Sequence, residues 1–182
     1  MKKANTYRMA TCAIMAALMC VLGPLSVPIG PVPVTLTNLV IYIAIVLLGW
    51  KMATISCALY LLLGLVGLPV FSGFQGGVGK LVGPTGGYLI GYLFVAVIGG
   101  FIMEKSKIKT WITMVGFVVA TAALYTFGTI WFMIEMQCDI KQAMTLCVLP
   151  FIPFDLIKIV VAVVLGKAVR AALGKAGLLL ES

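Results

Sequence analysis

The sequence predicts an all-α integral membrane protein with six transmembrane helices, forming a single membrane domain over residues 1–182. Hydrophobic residues make up 63% of the chain and charged residues only 10%, whereas about a quarter of the residues in a soluble domain are charged. The apolar residues also form long runs, each near the roughly 20 residues that cross the hydrocarbon of a bilayer. Lipid is therefore the expected solvent, and this length suits one domain.

Six apolar segments are the predicted spans. They are Met9–Leu25, Val34–Trp50, Met52–Leu68, Gly86–Met103, Trp111–Ile134 and Leu146–Val169. Only Lys51 separates the second span from the third. The first span follows a basic start but has no small-residue cleavage site, so it is predicted to stay in the protein as a start-transfer helix.

The basic residues predict the orientation of these spans. With a cytoplasmic N-terminus, ten Lys and Arg residues fall inside and two fall outside. The inner ones are Lys2, Lys3, Arg8, Lys51, Lys105, Lys107, Lys109, Lys167, Arg170 and Lys175, and the outer ones are Lys80 and Lys141. This excess follows the positive-inside rule and predicts that both termini are cytoplasmic. The net charge of +8 is thereby explained, and no nucleic-acid partner is expected.

Two of the predicted outward connections are rich in Gly and Pro and yet apolar. Gly23–Pro33 contains four prolines, which a continuous helix does not tolerate. Gly64–Gly87 contains nine glycines among Leu, Val and Phe residues. Such segments suit structured loops that fold back over a cavity, where the backbone approaches a ligand closely. The alternative is a compact re-entrant turn that only packs on the helix ends.

Asp155 and Lys158 lie inside the sixth predicted span. Ionisable residues are costly in a membrane and usually mark a cavity and a function. Their i, i+3 spacing puts both on one helix face, about 18 Å outward from Lys167 at 1.5 Å per residue. They are therefore predicted to lie beneath the outer loops and to bind a small organic ligand captured from outside. The alternative is an internal ion pair that only offsets its own burial cost.

Six further polar residues are predicted to contribute to the same pocket. They are Thr35, Asn38 and Tyr42, spaced i, i+3 and i+7 on the second span, Tyr88 at the start of the fourth span, and Gln75 and Lys80 on the Gly-rich loop. Each taken alone also fits a hydrogen bond between helices. Together with the charged pair, they favour a binding pocket.

Small residues form a face on the first span. Ala10, Ala13 and Ala17 recur at intervals of three and four, and such faces let helices approach closely in lipid. This face is predicted either to contact a partner subunit or to pack inside the chain's own bundle. For Gly87 and Gly91, spaced i, i+4 on the fourth span, packing inside the bundle is the preferred interpretation.

The sequence argues against an enzyme. It has no histidine, and its five cysteines lack the spacing of metal ligands. Gly79-Lys80 does not form a phosphate-binding loop, because Phe74 and Leu81 stand where that motif requires Gly and Ser or Thr. No cofactor or metal is expected, and any ATP-driven process would need another subunit.

Four segments carry a resemblance that extends over nearly the whole chain. They are Gly30–Thr35 (GPVPVT), Leu61–Phe71 (LLLGLVGLPVF), Gly83–Leu89 (GPTGGYL) and Pro153–Lys158 (PFDLIK). In these motifs the chain resembles the BioY family, the biotin-specific S components of energy-coupling factor transporters. The resemblance implies a six-helix S-component fold in the cell membrane that binds biotin from the outside. It also implies docking to a transmembrane coupling subunit driven by two ABC-type ATPase subunits.

The resemblance also implies roles for individual residues. Asp155 and Lys158 match ligand-contacting residues of the family, while relatives have an arginine near the position of Lys80 and often a glutamine where this chain has Asn38. The Ala13-x-x-x-Ala17 pattern resembles the motif by which S components contact the coupling subunit. A second function stays open, namely a self-sufficient secondary transporter that uses Asp155 as a proton site.

Overall fold

The computed structural model describes residues 2–28, 30–106 and 108–176. Ile29 of the first outer connection, Lys107 among the predicted inner residues, and residues 177–182 of the predicted domain lie outside the described residues.

Helices dominate the described chain. Their bounds are α1 Lys2–Leu22, α2 Thr37–Leu65, α3 Val78–Val82, α4 Gly86–Phe94, α5 Gly100–Lys105, α6 Thr110–Met136, α7 Ile140–Cys147 and α8 Ile152–Lys175. A π-helical turn, Val95–Gly99, joins α4 to α5. Two short strands, β1 Ser26–Val27 and β2 Val34–Thr35, pair antiparallel with Ser26 opposite Thr35.

Several helical stretches have the length and composition of membrane spans. Within the described residues, Thr37–Leu65, Gly86–Lys105 and Thr110–Met136 are each long and apolar enough to cross a bilayer. Ile140–Cys147 and Ile152–Lys175, bent by 45°, add a fourth span if they are counted as one. The apolar part of α1, Thr6–Leu22, is shorter. The protein is therefore an integral membrane protein with a helical fold.

The long helix α2 reverses direction at Gly49. Gly49 has φ 76° and ψ 173°, a backbone conformation that interrupts the helix and that glycine adopts most readily. The Tyr60 hydroxyl interacts with the Thr37 side chain, although these residues would lie about 35 Å apart in a straight helix. Residues 37–48 and 50–65 are therefore two helical arms joined at a sharp break, which lies close to the boundary predicted between the second and third spans.

Charged side chains hold the Gly49 turn from both sides. The Trp50 N–H, at the start of the second arm, donates to Glu104 Oε1 at 3.2 Å. Arg170 donates from Nη1 to the Val46 carbonyl, near the end of the first arm, at 2.9 Å. A carboxylate thus lies at a helix N-terminus and a guanidinium at a C-terminus, where each stabilises unpaired backbone groups and the helix dipole.

Four of the six predicted spans need corrected boundaries. The third ends at Leu65 rather than Leu68. The first span ends at Leu22 rather than Leu25, and Gly23-Pro24 follows the helix. The second begins at Thr37 rather than Val34, because Val34–Thr35 is paired in β2. The sixth is interrupted over residues 148–151, so that α7 and α8 are separate helices, and α8 continues beyond Val169 to Lys175.

Glycines bring α4 and α6 into close contact. A Cβ at Gly91 would lie 2.5 Å from the Leu124 Cδ1 atom, and a Cβ at Gly87 would overlap the Trp131 side chain. From the other side, Gly128 accommodates the Tyr88 ring. The prediction that Gly87 and Gly91 pack inside the bundle is confirmed.

The two Gly- and Pro-rich connections contain regular structure. The first holds the β1–β2 pair, and the second holds a bridge between Phe71 and Gln75 followed by α3. The Phe71 ring packs on Gly64 so closely that a Cβ at that position would overlap it. The second connection is thus anchored to the end of α2.

Candidate functional site

A buried polar cluster lies where α2, α6 and α8 meet. Asp155 Oδ1 accepts hydrogen bonds from Lys158 Nζ at 2.9 Å and from Asn38 Nδ2 at 2.7 Å. Asp155 Oδ2 accepts from the Tyr125 hydroxyl at 2.6 Å. Lys158 Nζ also donates to Asn38 Oδ1 at 3.2 Å. Asp155 is 4% exposed and Lys158 8%, so the ion pair lies almost entirely inside the protein.

The local fold explains this arrangement. Asp155 lies in the first turn of α8, where the helix dipole favours a carboxylate. Lys158 follows one turn later on the same face, as the i, i+3 spacing predicts. Taking both charges out of water is costly, and good geometry with extra hydrogen bonds is needed to offset that cost. Asn38 and Tyr125 supply those bonds.

The cluster lines a central cavity between the helices. The lining residues are Val32, Pro33, Thr35, Asn38, Tyr88, Tyr92, Leu124, Tyr125, Cys147, Phe151, Asp155 and Lys158. Five residues predicted from the sequence are among them. The first outer connection contributes Val32 and Pro33, so it covers part of the site.

Tyr42 does not reach this cavity. Its side chain is fully buried, its hydroxyl bonds to Thr121, and its ring stacks on Phe117 with 4.8 Å between centroids. Thr35 does line the cavity, but from β2, where its hydroxyl lies 3.1 Å from that of Tyr92. The predicted helical stripe through Thr35, Asn38 and Tyr42 is therefore wrong, because the helix begins at Thr37.

Gln75 and Lys80 line a different, outer cavity. It lies between the two outer connections and is lined by Pro31 of the first and by Lys80 and Thr85 of the second. Burial lowers the pKa of Lys80 from its ordinary value, and a neighbouring anion would favour its protonated form. Because Pro31 lines the outer cavity and Val32 the central one, the two cavities border the same loop.

The alanine face of α1 points away from the bundle. Ala10, Ala13 and Ala17 are exposed, while Met15 and Met19 on the other face are buried. Packing inside the chain's own bundle, one of the two interpretations of this face, does not fit that exposure. Contact with a partner subunit stays a prediction.

The chemistry of the central cavity favours a ligand with both polar and apolar parts. The buried carboxylate, amide and ammonium can accept and donate hydrogen bonds within a few ångströms of one another. Tyr88, Tyr92 and Phe151 provide aromatic surface beside them. Such a site suits a compact group that presents N–H donors and a carbonyl acceptor, attached to an apolar body.

Comparison with known proteins identifies the family. The model of the BioY family matches residues 1–175. This chain belongs to the BioY family. The biotin transporter BioY of Thermotoga maritima is 40% identical, over 84% of this chain and 89% of its own length. The biotin transporter BioY2 of Lactococcus lactis subsp. cremoris is 34% identical over 95% of each chain.

A solved structure supports the same assignment. The crystal structure of the S-component for biotin from an ECF-type ABC transporter matches this BioY chain with a TM-score of 0.87 and 33% identity. The match covers 94% of each chain. The predicted resemblance to the BioY family is confirmed, and the fold is that of an S component.

Several residues that line this cavity were not predicted from the sequence. Tyr92 follows Tyr88 by one helical turn, so its position on the same face was readable from the spacing. The signal for Tyr125 is weaker. It is the one tyrosine in the apolar helix α6, and a buried tyrosine hydroxyl usually has a hydrogen-bond partner. That its partner is Asp155, on a different helix, depends on how α6 and α8 pack. The remaining unpredicted lining residues are apolar or weakly polar, so nothing in the sequence distinguishes them from ordinary packing residues. They are Val32, Pro33, Leu124, Cys147 and Phe151.

Proposed function

We propose that this chain binds biotin from the extracellular side and delivers it for ATP-driven uptake together with an energy-coupling module. That module consists of a transmembrane coupling subunit and two ABC-type ATPase subunits. The observation that carries the proposal is the buried cluster of Asp155, Lys158, Asn38 and Tyr125, which lines a cavity in a member of the BioY family.

In this proposal the chain crosses the cell membrane six times, with both termini in the cytoplasm. The spans are α1, the two arms of α2, the α4–α5 stretch, α6 and the α7–α8 pair. The reversal of α2 at Gly49 supports counting its arms separately. The excess of basic residues on one side supports the orientation.

The ligand is oriented with its ureido group towards the charged pair. Asp155 accepts a hydrogen bond from a ureido N–H and Lys158 donates to the ureido carbonyl. Hydrogen bonds to charged groups contribute about 1.5–3 kcal/mol each. Asn38 holds both side chains in place, since it bonds to each of them. The aromatic residues Tyr88 and Tyr92 contact the apolar bicyclic ring.

The ligand carboxylate extends outward towards the outer cavity. Lys80 and Gln75 lie there, and a lysine on a Gly-rich loop can approach a carboxylate without deep burial. The partly desolvated ammonium of Lys80 gains more from an anion than one in bulk water would. The same loop closes over the bound ligand, because its glycines leave it mobile when the site is empty.

The exposed alanines of α1 form the contact with the coupling subunit. Ala10, Ala13 and Ala17 share a face that the bundle leaves uncovered, and their small side chains allow close helix approach in lipid. The site on α2, α6 and α8 is separate from this face. Ligand binding and partner contact are therefore separable by mutation.

Two measurements test the proposed function. Protein purified in detergent from cells grown with biotin should carry bound biotin, detected by mass spectrometry after denaturation. Co-expressed with a coupling subunit and its ATPases, it should copurify with them and support ATP-dependent biotin uptake. Uptake by this chain alone, driven by a proton gradient, would instead favour a self-sufficient secondary transporter.

A further inference from the structure

A second, open groove runs between α6 and α8, on the far side of Tyr125 and Asp155 from the central cavity. Its α6 side consists of Val118, Thr121, Ala122 and Tyr125. These residues are spaced i, i+3, i+4 and i+7, so they share one face of the helix. The facing surface of α6 is thus continuous along the groove.

The α8 side repeats the same spacing with Ile152, Asp155, Leu156 and Ile159. Two faces with this pattern normally interdigitate and exclude space, because protein interiors are closely packed. Here they leave a groove that extends over about 10 Å of each helix at 1.5 Å per residue.

The rim and floor of the groove differ in exposure. On the α6 rim Val118 is 43% exposed, and on the α8 rim Leu156 is 48% exposed. On the floor Thr121, Asp155 and Ile159 are buried. The rim residues belong to the apolar outer surface of two membrane helices, so the groove opens sideways towards the bilayer.

The polar atoms on the floor are already engaged within the protein. Thr121 Oγ1 donates to the Phe117 carbonyl at 2.7 Å and also bonds to the Tyr42 hydroxyl. Tyr125 donates to Asp155 at 2.6 Å. The groove therefore offers carbon surface, and an occupant made of hydrocarbon suits it better than a polar solute.

We propose that this groove is a lipid site that holds part of one acyl chain of a membrane phospholipid. The apolar lining selects the chain rather than the headgroup, and the groove is continuous with the surface that already faces lipid. A vacant apolar groove would forgo the dispersion contacts that a chain provides. Bilayer hydrocarbon is present at its mouth at high concentration.

The groove is one side chain away from the central cavity. Tyr125 and Asp155 line both spaces, and their hydrogen bond separates them. A bound acyl chain would cover this pair on the side away from the ligand and keep water from reaching the carboxylate laterally. The lipid site itself does not depend on what the central cavity binds.

The test uses full-length protein that is delipidated in mild detergent and titrated with dioleoyl phosphatidylglycerol, with bound lipids counted by native mass spectrometry. Ala122→Phe should fill the groove and weaken retention of the tightest lipid at least about fivefold. The matched control is Val119→Phe, which adds the same ring at an exposed position of α6 outside the groove. It should retain lipid like the wild type.

A second pair and a wild-type measurement cover the possibility that Ala122→Phe folds poorly. Leu156→Phe should also weaken retention, and Ile157→Phe, exposed but outside the groove, should not. In the wild type, one equivalent of phosphatidylglycerol with a diazirine in its acyl chain should label residues 118–125 or 152–159. The proposal would be overturned if groove and control variants retained lipid equally, or if the labelled residues lay elsewhere. It would also be overturned if the groove held only a detergent molecule or a second copy of the chain.

Discussion

The charged pair Asp155–Lys158 allows ligand contact to be separated from a purely structural role. We compare Asp155→Asn, Lys158→Met and the double variant. Each single variant leaves one buried charge without its partner at 2.9 Å. Breaking a buried ion pair from one side typically costs about 3–5 kcal/mol. For a domain of this size that corresponds to a fall in Tm of roughly 6–20 °C.

The double variant should behave differently in stability and in binding. The double variant leaves no unpaired charge in the interior, so its Tm without ligand should recover most of what each single variant loses. Its biotin affinity should not return. Each lost charge-assisted hydrogen bond removes about 1.5–3 kcal/mol, so each single variant should bind roughly 10–150-fold more weakly, and the double variant at least as weakly as either.

The two quantities can be measured on the same samples. Thermal unfolding in detergent reports stability without ligand, and titration calorimetry or equilibrium dialysis reports biotin affinity. A double variant that regained both stability and affinity would refute ligand contact and leave only an internal ion pair. Unchanged biotin affinity in all three variants would likewise refute ligand contact by this pair.

Three further predictions concern other regions. Lys80→Ala should weaken binding of biotin by about 1–2 kcal/mol more than that of an uncharged biotin amide, whereas equal losses in a binding assay would show that Lys80 does not contact the carboxylate. Ala13→Leu or Ala17→Leu should leave biotin affinity and Tm nearly unchanged while ATP-driven uptake and copurification fall sharply. Joint loss of stability and binding would instead place that face inside the bundle. Gly49→Ala should lower stability by about 1–3 kcal/mol, because its Cβ would lie 2.6 Å from the carboxylate of Glu104 at a positive φ. The control Gly79→Ala should not lower stability, because a Cβ at Gly79 would meet only open space. Equal Tm values for the Gly49 and Gly79 variants would refute the strain argument.

Local sequence patterns were sufficient for much of the fold. Apolar run length predicted the long helical segments, because the thickness of a bilayer sets the length of a span. The i, i+3 spacing placed Asp155 and Lys158 on one face, and the structure has them bonded. The glycine spacing at Gly87 and Gly91 predicted close packing of α4 inside the bundle.

Which residues line the cavity could be known only from the tertiary structure. Tyr42 and Tyr92 both lie in apolar helices, and the sequence analysis predicted that Tyr42 lines the site. In the structure Tyr42 bonds to Thr121 instead, and Tyr92 lines the cavity. Spacing along a helix shows which residues share a face. It does not show which neighbouring helix that face meets, because this depends on crossing angles and loop geometry.

The sequence by itself determined that this protein resides in lipid, that it carries a charged pair in a span, and that it resembles the BioY family. All three depend on composition or on residues close together in the chain. Only the tertiary structure decided that Asn38 and Tyr125 complete the cluster around Asp155, and that Lys80 lies on a separate outer cavity. Those contacts join residues far apart in the chain, and they form only when helices pack at a particular rotation and depth.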